Sequence, residues 1–154
     1  MSIQVPDRID HEVLVEAPPE RVWAIVTEPA HVGAWFGDSA EIDLRPGGEM
    51  TLHWKDYGSF LGRVEQVEPP HLFSFRWARP AGATPEEGNA TLVEFTLTPE
   101  GQSTRLRVVE SGFRELELPE AEQAEYAAGN RKGWAQELGE LREYAAERVG
   151  ASRS

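Results

Sequence analysis

The stretch PPERVWAIVTEPAHVGAWFGD, residues 18–38, predicts two short helices in tandem. Proline is tolerated in the first turn of a helix, where its missing N–H is no loss, so Pro19 and Pro29 each mark a helix start. Apolar residues recur at helical spacing after each of them, and Gly37 is suited to end the second helix. The two apolar stripes consist of Val22, Ile25 and Val26, and of Val32, Trp35 and Phe36. Both stripes must cover an apolar surface, and the open end of a curved sheet is one such surface.

The segments on either side of this stretch alternate polar and apolar residues, which is typical of strands with one buried face. One such segment, residues 11–16, precedes the tandem helices. The segments that follow lie at residues 40–45, 49–56, 59–67, 71–78, 91–98 and 104–110. Most of their connections are short, and the one long loop, residues 79–89, is rich in proline and glycine. Antiparallel pairing of neighbouring strands is therefore expected.

The last third of the chain changes to a helical period after Pro119. An apolar stripe is formed by Trp134, Leu138, Leu141 and Ala145. The pattern predicts one long helix whose stripe is buried against the concave face of the sheet. Gly129 and Gly133 each cost about 1 kcal/mol relative to alanine, so a kink or an interruption near residues 128–133 is the alternative to a continuous helix.

Composition limits the classes of function. The length of 154 residues fits one domain that spans residues 1–154, and the net charge of −12 argues against nucleic acid or an anionic membrane as partner. There are no cysteines, and the four histidines are scattered, so neither a metal nor another cofactor is expected. No apolar run is long enough for a signal peptide or for a membrane span of roughly 18 to 20 residues, which favours a cytoplasmic protein.

The order of the predicted elements, together with several short motifs, resembles the START-like, or SRPBCC, superfamily. More closely, the chain resembles the bacterial homologues of the activator of the ninety-kilodalton heat-shock-protein ATPase. The motifs that carry the resemblance are EAPPERVWAIVTEP (16–29), AWFGD (34–38), DLRPGGEM (43–50), GRVEQVEPP (62–70), FSFRW (73–77) and GWAQELGEL (133–141). The resemblance implies an α+β helix-grip fold, in which a curved antiparallel sheet of six to seven strands wraps round a long C-terminal helix and two short helices follow the first strand. It also implies a cavity between the sheet and the long helix.

The candidate ligand-binding residues are aromatic side chains that the predicted fold turns toward this cavity, and one carboxylate. They are Trp35, Trp54, Phe60, Phe75, Trp77, Phe95, Glu110 and Trp134. Glu110 continues the inward alternation of Leu106 and Val108, and a carboxyl in apolar surroundings has a raised pKa or needs a partner. It could then anchor a ligand or act as a general acid or base. The alternatives are that the strand ends at Val109, which leaves Glu110 in solvent, and that the aromatic side chains are ordinary core.

Three functions are consistent with these residues and with the resemblance. The first is binding of a hydrophobic small molecule between the sheet and the C-terminal helix. The second is a cofactor-free enzyme such as a polyketide cyclase or a hydrolase, with Glu110 as the candidate catalytic residue. The third is a protein-interaction domain that resembles the co-chaperones, which would require an exposed apolar patch for a protein partner.

Overall fold

The computed structural model describes residues 5–56, 58–79 and 82–153. Within them the chain forms seven strands and three α-helices. The strands are β1 (Arg8–Val15), β2 (Ser39–Ile42), β3 (Glu49–Trp54), β4 (Gly58–Glu68), β5 (Leu72–Ala78), β6 (Ala90–Glu100) and β7 (Ser103–Ser111). The helices are α1 (Pro19–Thr27), α2 (Pro29–Trp35) and α3 (Glu120–Arg153), and a short 3₁₀ helix lies at Phe113–Glu115.

All strands belong to one antiparallel sheet in the order β1-β7-β6-β5-β4-β3-β2. The sheet is open, because β1 and β2 form its two edges. α3 packs against the sheet along β1, and α1 and α2 pack against both the sheet and α3. This arrangement confirms the predicted α+β helix-grip fold.

The tandem helices begin at the predicted prolines. Glu28 separates them with an extended backbone (φ −84°, ψ 127°), so it ends α1 and precedes α2. The predicted stripes are buried, with Val22, Ile25 and Val26 on α1 and with Val32, Trp35 and Phe36 at the end of α2. Gly37 follows with a φ of +81°, which turns the chain away from the helix at little steric cost.

The predicted long helix is confirmed, and the alternative of an interruption is wrong, since α3 runs without a break through residues 128–133. A Cβ at Gly129 or Gly133 would have no neighbour within 4 Å, so neither glycine is required by packing. Their cost is offset by the stripe on the same helix, where each fully buried large apolar side chain contributes roughly 1.5 to 3 kcal/mol. The stripe residues Trp134, Leu138, Leu141 and Ala145 are all buried. No helix in the described part of the chain combines the length and the apolar composition that crossing a membrane demands.

Two strand boundaries differ from the prediction by three residues, and the others differ by two or fewer. β1 begins at Arg8 instead of residue 11, and β2 ends at Ile42, before Leu44. Beyond Ile42 the chain enters a turn, in which the Arg45 amide donates to the Asp43 carbonyl at 2.8 Å, so Leu44 is exposed. The long loop at residues 79–89 separates β5 from β6 as predicted, with residues 80 and 81 outside the described residues.

Candidate functional site

Aromatic side chains from the sheet, α2 and α3 meet in one cluster on the inner face of the sheet. Trp77 of β5 lies 6.0 Å from Trp134 of α3 between ring centroids, and Phe95 of β6 lies 5.7 Å from Trp134. Trp35 of α2 lies 6.4 Å from Phe95. Phe75 joins the cluster through Trp77, at 6.0 Å. The structure thus brings together the aromatic residues that the sequence predicts.

Three rings at one side of this cluster are only partly buried. Trp54, Phe60 and Trp77 come from three consecutive strands and lie within 5.4 to 6.4 Å of one another. The other predicted aromatic residues, Trp35, Phe75, Phe95 and Trp134, are buried. The cluster therefore has a buried interior and, at one side, three neighbouring aromatic residues that are partly exposed to solvent.

Glu110 lies inside the fold, with 0% of its surface exposed. β7 continues to Ser111, and Glu110 pairs with Val93 of β6 on one side and with Ile9 of β1 on the other. Because β1 begins at Arg8, it covers the end of β7. The solvated alternative for Glu110 is therefore wrong.

The Glu110 carboxylate accepts hydrogen bonds from four side chains. Oε2 accepts from the Trp77 Nε1–H at 2.9 Å and from the Thr91 hydroxyl at 2.5 Å. Oε1 accepts from the Trp134 Nε1–H at 2.9 Å. The Asn130 amide donates to both oxygens, at 3.0 and 3.1 Å. One carboxylate thus ties β5 and β6 to α3.

The electrostatics of this network follow from its burial. Burial raises the pKa of Glu110, and the hydrogen bonds from the donor side chains partly oppose that rise. Burial and the charge of Glu110 raise the pKa of the neighbouring Tyr126 to about 12. The Tyr126 hydroxyl therefore stays protonated at neutral pH. The guanidinium of Arg79 lies over the Tyr126 ring, 4.9 Å from its centroid, in a cation–π contact.

Phe36 occupies the centre of the aromatic cluster. Its ring stacks on Trp134 at 5.1 Å with an interplanar angle of 6°, and it lies 5.8 Å from Trp77. It also contacts Trp54 at 5.1 Å edge-on and Trp35 at 5.1 Å. Phe36 thus fills the middle of the space in which the family resemblance implies a cavity.

Sequence reasoning did not single out three residues of this site: Phe36, Thr91 and Asn130. Asn130 precedes Trp134 by four residues, so the two share a helix face, and that spacing was an available signal. Thr91 lies two residues before Val93 in the inward alternation of β6. Phe36 belongs to the predicted stripe of α2, but its contacts with distant strands have no sequence signal.

Two clefts on the surface are poor candidates for an apolar ligand. One lies between residues 5–7 and the first turns of α3, where Arg114 pairs with Asp7 at 2.6 Å. The other lies on the outer face of the sheet and is lined largely by charged side chains, among them Arg63, Arg76 and Glu87. Among the described residues, no group of three or more histidine, aspartate or glutamate side chains is placed to hold a metal ion.

Solved structures with this fold include proteins of several bacteria. A protein from Mesorhizobium loti is 25% identical, with a TM-score of 0.76 over 92% of this chain and 97% of that one. DynU16, from the dynemicin biosynthetic locus, is 30% identical, with a TM-score of 0.73 over 90% of this chain, which spans 47% of DynU16. The Aha1 dimer from Colwellia psychrerythraea shares the fold at 19% identity, with a TM-score of 0.71 over 88% of this chain and 93% of that one.

No curated protein matches the chain significantly. The sequence model of one family does match, over residues 16–146, which include the tandem helices, β2 to β7 and most of α3. By this match the chain belongs to the family described as Activator of Hsp90 ATPase homolog 1-like protein.

Proposed function

We propose that the protein binds a hydrophobic small molecule between the sheet and α3. The observation that carries this proposal is the face formed by Trp54, Phe60 and Trp77, which are partly exposed side by side next to a buried aromatic cluster. Apolar surface in water is unfavourable by about 25 cal/mol per Å², and a ligand that covers these rings would recover that free energy. Concave apolar sites with a few fixed polar groups are typical of small-molecule binding.

Glu110 acts in this proposal as a positioning residue. A general acid or base needs an oxygen within reach of a substrate proton. Both oxygens of Glu110 already accept hydrogen bonds from protein side chains, and the group is fully buried. Its contacts favour a role in holding Trp77 and Trp134 in place over a direct role in catalysis.

The distribution of exposed apolar side chains favours a small ligand over a protein partner. Among the described residues, the exposed large apolar side chains are Leu14 and Leu44. Leu14 lies on β1, and Leu44 lies just beyond β2, so they stand at opposite edges of the sheet. A protein interface based on apolar burial needs a contiguous patch of several hundred Å², which two separate residues do not provide.

The similarity to DynU16 supports the same proposal. That protein is described as part of the dynemicin biosynthetic locus. A protein that binds a small molecule has a clear use where one is made. This chain covers about half of DynU16, so the likeness concerns the domain that the two proteins share.

The experiment that tests this proposal is a titration of the wild-type protein with flavonoids, aromatic polyketides, fatty acids and sterols. Tryptophan emission is the first readout, since four of the five tryptophans, Trp35, Trp54, Trp77 and Trp134, lie in the cluster. Calorimetry then gives the dissociation constant for each class that changes the emission. A saturable signal for at least one class is expected.

A pair of variants locates the binding site. Phe60→Ala removes a partly exposed ring from the cluster and is expected to weaken binding about tenfold or more, as a lost aromatic contact of about 1.4 kcal/mol or more implies. Leu14→Ala removes an exposed apolar side chain elsewhere and is expected to leave the affinity unchanged. Absence of binding by every class, in a folded sample, would refute the proposed function.

A further inference from the structure

We infer that the ring of Phe36 occupies the place of the ligand, and that the ligand carries a flat aromatic ring which displaces Phe36. This inference rests on the proposed function and specifies its ligand class. Phe36 is 5% exposed and is surrounded by the rings of four tryptophans. We call these four rings, Trp35, Trp54, Trp77 and Trp134, the tryptophan box.

The geometry of the tryptophan box selects a flat ring. Trp134 lies parallel to the Phe36 ring, with an interplanar angle of 6°, and Trp77 is inclined to it by only 29°. Trp54 presents its ring at 77°, in an edge-to-face contact. Stacked and edge-to-face contacts are the two arrangements that aromatic rings prefer, and a saturated ring offers neither.

Three walls of the tryptophan box are fixed by hydrogen bonds that do not depend on Phe36. The Trp35 Nε1–H donates to the Ile25 carbonyl at 2.8 Å. The Trp77 and Trp134 Nε1–H groups each donate to Glu110 at 2.9 Å. The orientation of these rings is therefore set by polar contacts outside the box, and the box is expected to persist when its occupant leaves.

Phe36 itself is held less firmly than the walls. Its side chain has no polar atom that could form a comparable bond. It caps α2, which has seven residues and no side-chain hydrogen bond at its start, and Gly37 follows with a φ of +81°. Helices this short are marginal on their own, and their stability depends on packing. A rotation of the Phe36 side chain can thus release the ring while Trp77 and Trp134, which are bonded to Glu110, stay in place.

The test compares a flat probe with a saturated probe of the same carbon skeleton, by calorimetry on the wild-type protein. The probes are 1-naphthol and decahydro-1-naphthol. We expect 1-naphthol to bind at least about tenfold more tightly, since only a flat ring can replace the stacking of Phe36. Equal affinities for the two probes would overturn the inference. Binding of a fatty acid or a sterol without binding of 1-naphthol would also overturn it, and the proposed function would then stand.

Phe36→Ala tests the displacement directly. If Phe36 competes with the ligand, its removal increases the fraction of protein with a free site, and 1-naphthol should bind about tenfold more tightly or better. Phe73→Ala is the matched control, since Phe73 is also buried and packs on Phe75 and Phe95, outside the tryptophan box. An equal gain in both variants would reveal binding in any new cavity and would overturn the inference. If Phe36→Ala does not fold, Phe36→Leu keeps the apolar bulk without the flat ring, and the comparison of the two probes on the wild type still decides.

Discussion

Replacing Glu110 by glutamine is expected to lower the free energy of unfolding by about 2 to 3 kcal/mol. An amide offers one acceptor oxygen where the carboxylate offers two. If the amide oxygen takes the place of Oε2, it keeps the bonds from Trp77 and Thr91, and the NH₂ group then faces the Trp134 Nε1–H. A buried donor without an acceptor costs about 1 to 3 kcal/mol. The remaining bonds also lose their charge-assisted part, while removal of a buried charge returns some of the desolvation cost.

Thermal and urea unfolding measure this loss. For a chain of 154 residues, 2 to 3 kcal/mol corresponds to a fall in Tm of roughly 4 to 12 °C. Tryptophan emission should shift as well, because the Trp134 N–H loses its acceptor and the Trp77 N–H donates to an amide oxygen instead of a carboxylate. The matched control is Glu68→Gln, which alters an exposed glutamate on β4 and is expected to leave both readouts unchanged. A Glu110→Gln variant with the Tm and the emission of the wild type would show that the carboxylate does not hold these rings.

Three further predictions concern α3. Leu141→Ala removes a fully buried side chain and should destabilise the fold by about 2 to 5 kcal/mol in urea unfolding. Tyr144→Phe removes the hydroxyl that lies 2.6 Å from His31 Nδ1, which should cost about 1 kcal/mol in the same assay. Burial and the charge of Glu140 raise the pKa of Glu137 to about 7 from 4.5, so the folded state holds this proton more tightly than the unfolded state. Protonated Glu137 contributes its whole share of the free energy of unfolding below about pH 4.5, and this contribution is lost as the pH rises to about 7. Glu137→Gln should therefore raise the Tm at pH 8 but not at pH 4.

Exposed positions on the same helix provide the controls for these variants. Glu147→Gln should leave the Tm unchanged at both pH values, since Glu147 is exposed on α3. Glu137 is only about half buried, so its full shift does not appear as stability, and a gain of about 1 kcal/mol at pH 8 is the expected size. A Tm difference between Glu137→Gln and the wild type that does not vary with pH would contradict the assignment.

The tandem helices and the strands could be predicted because their signals are local. Pro19 and Pro29 fix helix starts through backbone geometry alone, and the structure begins α1 and α2 at these residues. Alternation of apolar residues likewise indicates which side of a strand is buried. The predicted long helix continues through Gly129 and Gly133 because intrinsic propensity is a small term, which the packing of the buried stripe outweighs.

The position of Glu110 could not be decided from its own strand. Whether β7 ends at Val109 depends on a partner from the other end of the chain. That partner is Ile9, in a part of β1 that the alternation of residues 11–16 does not reach. The local sequence permits both a solvated and a buried glutamate, and only the pairing of β1 with β7 separates them.

In the aromatic site, too, the sequence predicts what depends on single elements and does not predict what depends on packing between distant elements. Period-two alternation places Trp54, Trp77 and Phe95 on the inner face, and helical spacing places Trp134 opposite them. The contact of Phe36 with Trp134 depends on how α2 lies across the end of the sheet, which is set by packing between elements far apart in the chain. Sequence reasoning therefore identified the walls of the tryptophan box and missed its occupant.

The fold alone does not explain why a carboxylate is buried at position 110. Burial of a carboxylate costs several kcal/mol, and well-packed apolar residues often stabilise a core as well or better. The neighbouring inward positions on β7 are Leu106 and Val108, so an apolar residue at 110 and phenylalanines in place of Trp77 and Trp134 would continue the core without a buried charge. What such a core would lose is a fixed orientation of the two rings, because a phenylalanine has no N–H through which it can be aligned. Ring orientation matters little to a core that only excludes water, and it matters greatly to a box that must stack on a flat ligand.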